Sequence, residues 1–239
     1  MIFEVKRILV VGAGGTGSIL LPQLARLLLL TENMPELHIA DGDSYSESNI
    51  TRQNFALQYV GENKAKYQAE LLVFQMPNIA DKIIYHDRYL SKADIDDIVI
   101  DGTIVINCVD NLAARKHVED AVCKVDNGAH ICCGNELKHG QVQISGRKKG
   151  VQFAPTIFER NPEWNSTDDD RSEMTCEQIA TLPSGGQVIC SNMTAASIAL
   201  NFVYQLMFAR RSIPNCDQVN FTIIDNGYEK LGAQVLAAV

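Results

Sequence analysis

The sequence predicts an α/β fold: a Rossmann-like, mostly parallel sheet with helices on both faces and an antiparallel extension in the C-terminal half. Three observations predict it. Apolar strands alternate with helical segments through residues 1–127, which is typical of parallel sheets. Gly12, Gly14 and Gly17 follow the first strand with G-x-G-x-x-G spacing. Residues 141–144 alternate polar and apolar side chains, which indicates a half-exposed antiparallel strand.

The first strand, its glycine turn and the next helix form the centre of the predicted fold. A buried strand is expected over residues 8–11 and a helix over 18–30. Gly12 permits a tight turn, Gly14 lets the backbone approach a phosphate, and Gly17 lets the helix pack on the strand. Because free N–H groups and the positive end of the helix dipole face this turn, it predicts an anion site. A tight turn without a ligand is the alternative.

The other elements are expected in a regular order. Further strands of the parallel half are predicted over residues 36–40, 82–86 and 104–109, and helices over 61–76 and 112–124. The second half is predicted to contain strands at 129–133 and 140–145, an irregular crossing loop at 156–186, a long helix at 187–210 and a last strand at 219–225. We expect a single domain over 1–239, with a nucleotide-binding half at 1–127 and the antiparallel extension, crossing loop and C-terminal helix at 128–239.

Composition limits the function classes. The net charge of −8 argues against binding to nucleic acid and to an anionic membrane surface. The seven cysteines include no C-x-x-C pair, which favours free thiols in a reducing compartment. No apolar run is long enough to span a bilayer, and the first residues lack a signal-peptide pattern. We therefore expect a cytoplasmic protein with neither a membrane nor a nucleic-acid partner.

Polar residues gather where predicted strands end. Asp41 ends the second strand, 24 residues after Gly17, where nucleotide folds place an acid that binds ribose hydroxyls. A strand-end cap is the alternative for Asp41. The fourth strand ends at Asp110 and Asn111, and such strand ends bind ligands in open α/β sheets. A further polar cluster lies after the second strand: Asn49, Arg52 and Gln53.

Five short sequences resemble, in the same order, the E1-like activating enzymes of ubiquitin-like proteins, the ThiF/MoeB/HesA family. They are GAGGTG at 12–17, DGD at 41–43, SNITRQ at 48–53, GENKA at 61–65 and CVDN at 108–111. Together these motifs cover about half of the chain. Within the family, the chain is most similar to the compact ThiF-like proteins of bacterial mobile elements, the PRTRC-type group.

The resemblance implies an E1-like adenylation domain that uses ATP and Mg²⁺. Its substrate would be a ubiquitin-like or sulfur-carrier protein whose C-terminal glycine carboxylate attacks the α-phosphate, giving an acyl adenylate and pyrophosphate. Asp41 and Asp43 would hold the ribose, and Asp110 would bind magnesium. The other implied nucleotide contacts are Gly12, Gly14, Gly15, Gly17, Asn49, Arg52, Gln53, Lys64 and Asn111. The family also implies a homodimer.

The residue types suit this chemistry. ATP and a carboxylate bring like charges together, so the site must supply cations and a metal. Arg52 offers a forked donor and Lys64 a mobile point charge, while Asp110 is a hard oxygen ligand suited to magnesium. The alternatives are a surface ion pair for Arg52, a solvated lysine for Lys64 and a helix N-cap for Asp110.

Cys176 lies in the crossing loop and resembles the family cysteine that forms a thioester or an acyl disulfide. An inert free thiol is the alternative. Family members commonly hold a structural zinc with two C-x-x-C pairs, and without such pairs we expect no zinc. The family's N-terminal helix usually lends an arginine to the partner's ATP. Here the sequence enters the first strand at once, so that arginine is expected to be missing or to come from elsewhere.

Two other functions compete with adenylation. An NAD-dependent oxidoreductase would use the glycine turn and Asp41 equally well, although Arg52 and Lys64 suit a triphosphate better. A non-catalytic scaffold would bind the ubiquitin-like tail without consuming ATP. Exchange of pyrophosphate into ATP, retention of NAD and binding of a tail without ATP turnover distinguish the three functions.

Overall fold

The chain enters its sheet at a central strand and then builds outward on both sides. A computed structural model describes residues 4–135, 139–165, 189–208, 216–222 and 234–237. The first half contains β1 (Arg7–Val11), α1 (Gly15–Leu28), β2 (Glu36–Ala40), α2 (Lys64–Gln75), β3 (Ile83–His86), α3 (Lys92–Ile98), β4 (Thr103–Asn107), α4 (Leu112–Val122) and β5 (Gly128–Asn135). The second half contains β6 (His139–Lys148), β7 (Val151–Ala154), α5 (Ile157–Arg160), α6 (Ile189–Phe208), β8 (Cys216–Thr222) and β9 (Gln234–Ala237).

The described strands form one mixed sheet in the order β3-β2-β1-β4-β5-β6-β8-β9, and β7 pairs with β6. Strands β1 to β5 run parallel, and the pairs from β5 onward are antiparallel. Val11 pairs with Ala40 on one side and with Asn107 on the other, so β1, β2 and β4 end at the same edge. The strand order reverses between β1 and β4, and such a switch point opens a crevice at the carboxyl edge.

The two faces of the sheet carry separate hydrophobic clusters, as the alternation of β1 requires. Ile8 and Val10 pack into the larger cluster with residues of α1, α2 and α6. Leu9 and Val11 pack on the opposite face with residues of α3 and α4. The predicted α/β fold with helices on both faces and an antiparallel extension is therefore confirmed.

Several element boundaries differ from the prediction for local reasons. Helix α1 begins at Gly15, directly after the turn. Strand β4 ends at Asn107, because the Asn107 side chain accepts a hydrogen bond from the Val109 N–H and turns the chain out of the sheet. Helix α5 lies inside the segment predicted to be irregular, and its start is capped by the Thr156 hydroxyl. The predicted residues 223–225 of the last strand lie outside the described residues.

The expected exposure of the polar side of β6 was wrong at Gln143. Strand β6 is antiparallel as predicted, but Gln143 is buried. Its amide accepts a hydrogen bond from Asn161 and donates one to Gln218. Polar residues after α5 and on β8 therefore cover this side of the strand, which periodicity alone does not show.

Within the described residues, no helix combines the length and apolar character that a membrane span requires.

Candidate active site

Two positions in and after the turn that follows β1, Gly12 and Gly17, accept only glycine. Gly12 has φ of +93°, in the left-handed region, and its N–H donates to the Ala40 carbonyl over 2.8 Å. A Cβ on Gly12 would lie 2.8 Å from Cγ1 of Val109, and a Cβ on Gly17 would overlap the Gly12 carbonyl. The turn and the first turn of α1 are therefore packed as closely as the backbone allows.

The amino end of α1 faces the crevice. Gly14 precedes the helix, and among the described residues no side chain caps it. Its first-turn N–H groups and the positive end of the helix dipole favour an anion at this position. Gly15 has a packing reason of its own, because a Cβ there would overlap the Asn192 amide on α6. Contacts of Gly12, Gly14, Gly15 and Gly17 with a phosphate stay predictions.

Asp41 joins the ends of β1 and β2. Its Oδ2 accepts the Ala13 N–H over 2.7 Å, and its Oδ1 accepts the Asp43 N–H over 2.9 Å. Burial raises the pKa of Asp41, and nearby Lys64 and the two backbone donors act in the opposite direction. Each carboxylate oxygen keeps acceptor capacity for a further donor. The side chain thus fixes the turn and can still bind hydroxyl groups.

Lys64 is buried and paired with Asp43, which contradicts the solvated-lysine alternative. The residue is 3% exposed, and its Nζ lies 2.9 Å from Oδ2 of Asp43. The Tyr89 hydroxyl donates to the other oxygen of Asp43. Partial burial works to raise the pKa of Asp43, but hydrogen bonds from Tyr89 and Lys64 outweigh it, and that pKa lies below its ordinary value.

Hydrogen bonds hold the start of α2 against the acid pair, Asp41 and Asp43. Asn63 caps α2 by accepting the Lys66 N–H over 3.0 Å. Its side-chain amide also donates to the carbonyls of Asp41 and Asp43, over 2.8 and 3.1 Å. Lys64 is therefore held at the carboxyl edge by the backbone as well as by its ion pair.

The polar segment after β2 forms a short 3-10 helix, Glu47–Thr51, that lies beside the glycine turn. Asn49 is buried, and its Oδ1 accepts the Ser46 N–H over 3.1 Å, so it caps this helix. Gln53 is also buried, and its Nε2 lies 3.6 Å from where a Cβ on Gly14 would stand. The segment therefore brings Gln53 to the mouth of the turn.

Two buried polar atoms at this edge have no hydrogen-bond partner among the residues that the structure describes: Oε1 of Gln53 and Nδ2 of Asn107. An unpaired buried polar atom costs about 1–3 kcal/mol. Arg52 is partly exposed next to Gln53, and within the described residues its guanidinium makes no ion pair, so the surface-ion-pair alternative finds no support. A polar ligand in the crevice would satisfy these groups.

Asp110 and Asn111 have different tasks at the end of β4. Asn111 is the N-cap of α4, and its Oδ1 accepts the Ala114 N–H over 2.9 Å. The N-cap alternative for Asp110 is therefore wrong. Asp110 is exposed at the same edge as Asp41 and can hold a cation there. Contact of Asn111 with a nucleotide stays a prediction, because its side-chain oxygen already caps the helix.

Asn192, which lies far from the motifs in sequence, contacts the site and was not predicted. Asn192 on α6 donates to the Arg52 carbonyl over 3.4 Å and accepts from the Asn135 amide over 2.6 Å and from the Thr16 hydroxyl over 3.4 Å. Asn192 follows Arg52 by 140 residues, and no local sequence signal connects them.

Arg115 was also missed. It is buried on α4, where it donates through Nε to the Val109 carbonyl over 3.1 Å and through Nη2 to the Cys133 carbonyl over 3.2 Å. Its guanidinium lies 5.4 Å from the centre of the Trp164 ring. Arg115 therefore fixes the loop that presents Asp110.

Cys176 lies outside the described residues, so its proposed role stays a prediction. Among the residues that the structure describes, no three His, Cys, Asp or Glu side chains are grouped as a metal site would require. Neither the expected absence of zinc nor binding of magnesium by Asp110 is tested by that observation.

Known proteins are similar to the chain in sequence. The chain is 32% identical over 145 residues to SUMO-activating enzyme subunit uba-2 of Caenorhabditis elegans, covering 60% of this chain and 24% of that protein. It is 30% identical over 155 residues to adenylyltransferase and sulfurtransferase MOCS3-2 of Zea mays, covering 64% and 28%. The chain therefore spans about a quarter of these curated relatives.

Solved structures show the same fold at low identity. Escherichia coli MccB, solved with AMPCPP and MccA, superposes with a TM-score of 0.67 at 16% identity, covering 97% of this chain and 64% of that one. PaaA superposes with a TM-score of 0.68 at 18% identity, covering 92% and 70%. The model of the ThiF family matches residues 2–226. Since that match spans nearly the whole sequence and includes every described residue of the crevice, the chain belongs to the ThiF family.

Proposed function

We propose that this protein adenylates the C-terminal glycine carboxylate of a ubiquitin-like or sulfur-carrier protein, with ATP as the other substrate. The observation that carries the proposal is that four segments distant in sequence meet at one edge of the sheet. The glycine turn, the acid pair of Asp41 and Asp43, the segment with Arg52, and Lys64 are separate in sequence but adjacent at one sheet edge. Family membership supports this chemistry in general terms.

In this proposal, ATP would lie along the edge in one direction. Its phosphates would lie at the uncapped start of α1, where the N–H groups and dipole favour anions. The ribose would lie on Asp41, whose oxygens keep acceptor capacity. Gln53 offers an acceptor and Asn107 a donor that have no partner in the described part of the chain, and a nucleotide or its bound water would satisfy both.

The reaction brings a carboxylate against a polyanion, so the site must lower their repulsion. We assign this task to the Arg52 guanidinium and the Lys64 ammonium. Asp110 would hold Mg²⁺, which screens phosphate charge when bound. A carboxylate oxygen of the tail would attack the α-phosphorus, the bond from that phosphorus to the bridging oxygen would break, and pyrophosphate would leave with the electron pair.

Two finer points belong to this proposal. Cys176 would accept the activated tail as a thioester or an acyl disulfide, which rests on the family resemblance. A second copy of the chain would complete a homodimer, and α6 offers exposed apolar side chains for it at Ile189, Met193 and Tyr204. Light scattering of the purified protein tests the dimer, and Cys176→Ser separates adenylate formation from transfer.

The partner experiment tests the proposal directly. The tagged protein is incubated with ATP and magnesium, and captured proteins are identified by mass spectrometry. A captured protein that ends in Gly-Gly is then supplied for exchange of labelled pyrophosphate into ATP. We expect exchange that requires both the partner and its terminal glycine.

The Arg52→Ala variant should lower that exchange by about 100-fold, because it removes a preorganised cationic donor. Arg26→Ala is the matched control, since Arg26 is exposed in the last turn of α1, at the end of that helix opposite the glycine turn. Tail binding with no exchange would instead indicate the non-catalytic scaffold, and retention of NAD would indicate the oxidoreductase.

A further inference from the structure

We propose that Tyr89 is the base platform of this site, a fixed aromatic ring on which the adenine of ATP stacks. The inference rests on the proposed function, because it assumes that ATP is the nucleotide. Tyr89 lies in the loop between β3 and α3 and is 72% exposed, although it is a large aromatic residue. No sequence motif marks it.

The exposed ring of Tyr89 is held in place at the acid pair. Its hydroxyl donates to Asp43, the residue that also pairs with Lys64. Its ring covers Gly42, where an added Cβ would lie 2.7 Å from Cγ and Cδ2 of the tyrosine. Because the hydroxyl is hydrogen-bonded and one side of the ring packs on the backbone of Gly42, the rest of the ring is an ordered apolar surface.

The order of the strands sets the direction in which the nucleotide lies. The phosphate position is at the start of α1, which follows β1, and the ribose position is Asp41, which follows β2. Strand β3 is the next neighbour of β2 on the side away from β1. A base attached to that ribose therefore points toward the loop after β3, where Tyr89 lies three residues past the strand end.

Stacking on an aromatic ring recognises the π-face that every base has, and it strengthens with the area of the base. The platform should therefore favour a nucleoside triphosphate over inorganic triphosphate, and a purine over a pyrimidine. Tyr85 is the matched control, since it is 44% exposed on β3 but precedes the loop.

The experiment measures dissociation constants by titration calorimetry for ATP, CTP and inorganic tripolyphosphate. Tyr89→Ala should weaken ATP binding about tenfold, and CTP binding by less, while tripolyphosphate binding changes by less than twofold. Tyr89→Phe keeps the ring and should bind ATP within about twofold of the parent protein. Tyr85→Ala should match the parent for all three. If Tyr89→Ala does not fold, Tyr89→Leu tests the loss of the ring.

Two results would overturn the inference. In the first, the ring-deleted variant binds ATP as the parent does. In the second, Tyr89→Phe loses as much as Tyr89→Ala and tripolyphosphate binding falls with it, which would make Tyr89 a positioning residue for Asp43. If the parent exchanges pyrophosphate but Tyr89→Ala is unchanged, the base platform alone fails. If the parent binds no ATP at all, the proposed function fails with it.

Discussion

The ion pair between Lys64 and Asp43 shows how a single side chain can be held ready at this edge. A buried ammonium needs a partner, and Asp43 supplies it at 2.9 Å. Because an ion pair with the polyphosphate would replace or share that contact, the charge can be redirected without first being desolvated. The same pair explains why Lys64 lies at the start of α2, where the helix dipole disfavours a cation.

Replacement of Lys64 by alanine should lower the rate of pyrophosphate exchange by about 100-fold, because one preorganised cation is lost. Lys66→Ala provides the control, since Lys66 is two residues further along α2 and pairs with Glu62 at the exposed surface. Both rates are measured with saturating partner. A Lys64→Ala variant that exchanges within twofold of the parent would remove Lys64 from the proposed mechanism.

A second buried pair, away from the crevice, predicts a pH dependence. Nδ1 of His130 lies 2.7 Å from Oε2 of Glu119, and the Ser145 hydroxyl donates to the other oxygen. Burial works to lower the pKa of His130, but the neighbouring Cys132 thiol and the Glu119 carboxylate outweigh it and raise that pKa to about 9. Protonated His130 is therefore favoured in the folded state.

Because this pKa exceeds the unfolded value of about 6.5, the stabilisation from protonated His130 is complete below pH 6.5 and lost as pH rises to 9. The loss should be about 3 kcal/mol of unfolding free energy. Urea unfolding at pH 6.5 and 9 measures it, and His130→Gln should lack this difference. An equal decline in the variant would assign the pH dependence to other groups.

At the level of elements, the N-cap of α4 contributes both to folding stability and to the position of Asp110. Asn111→Ala removes the N-cap of α4 and should cost about 1 kcal/mol of unfolding free energy. Ser91→Ala removes the cap of α3 and should cost a similar amount. Only Asn111→Ala should also raise the magnesium concentration needed for exchange, because Asp110 precedes that cap. Equal magnesium profiles for the two variants would contradict this link.

How far the elements could be predicted depended on how local their signals are. The glycine turn, β1, β2 and the polar end of β4 could be predicted, because hydrophobic periodicity and turn-forming residues are visible over a few adjacent positions. Helix α3 was missed although Ser91 and Asp94 form a capping box that signals its start. The pairings made by Asn192 and Tyr89 could not be predicted, because they depend on strand order rather than on neighbouring residues.

At the level of the whole molecule, the larger hydrophobic cluster spans both halves of the chain. Residues of α1 and β1 share it with Phe202 and Leu206 of α6 and with Val142 of β6. The first half of the chain, residues 1–127, expressed alone, should therefore expose a large apolar face and fail to fold. Near-ultraviolet circular dichroism should show no fixed aromatic environment, whereas the full chain shows one. A cooperative melt of the fragment would contradict this expectation.

The contact between Gly15 and Asn192 has an evolutionary consequence. A methyl group at position 15 would collide with the Asn192 amide, and truncation at 192 would leave space beside a bare glycine. Selection should therefore treat the two positions as a unit. Across an alignment of related sequences, alanine at position 15 should coincide with a smaller residue at 192, which would make this distant pair visible as covariation.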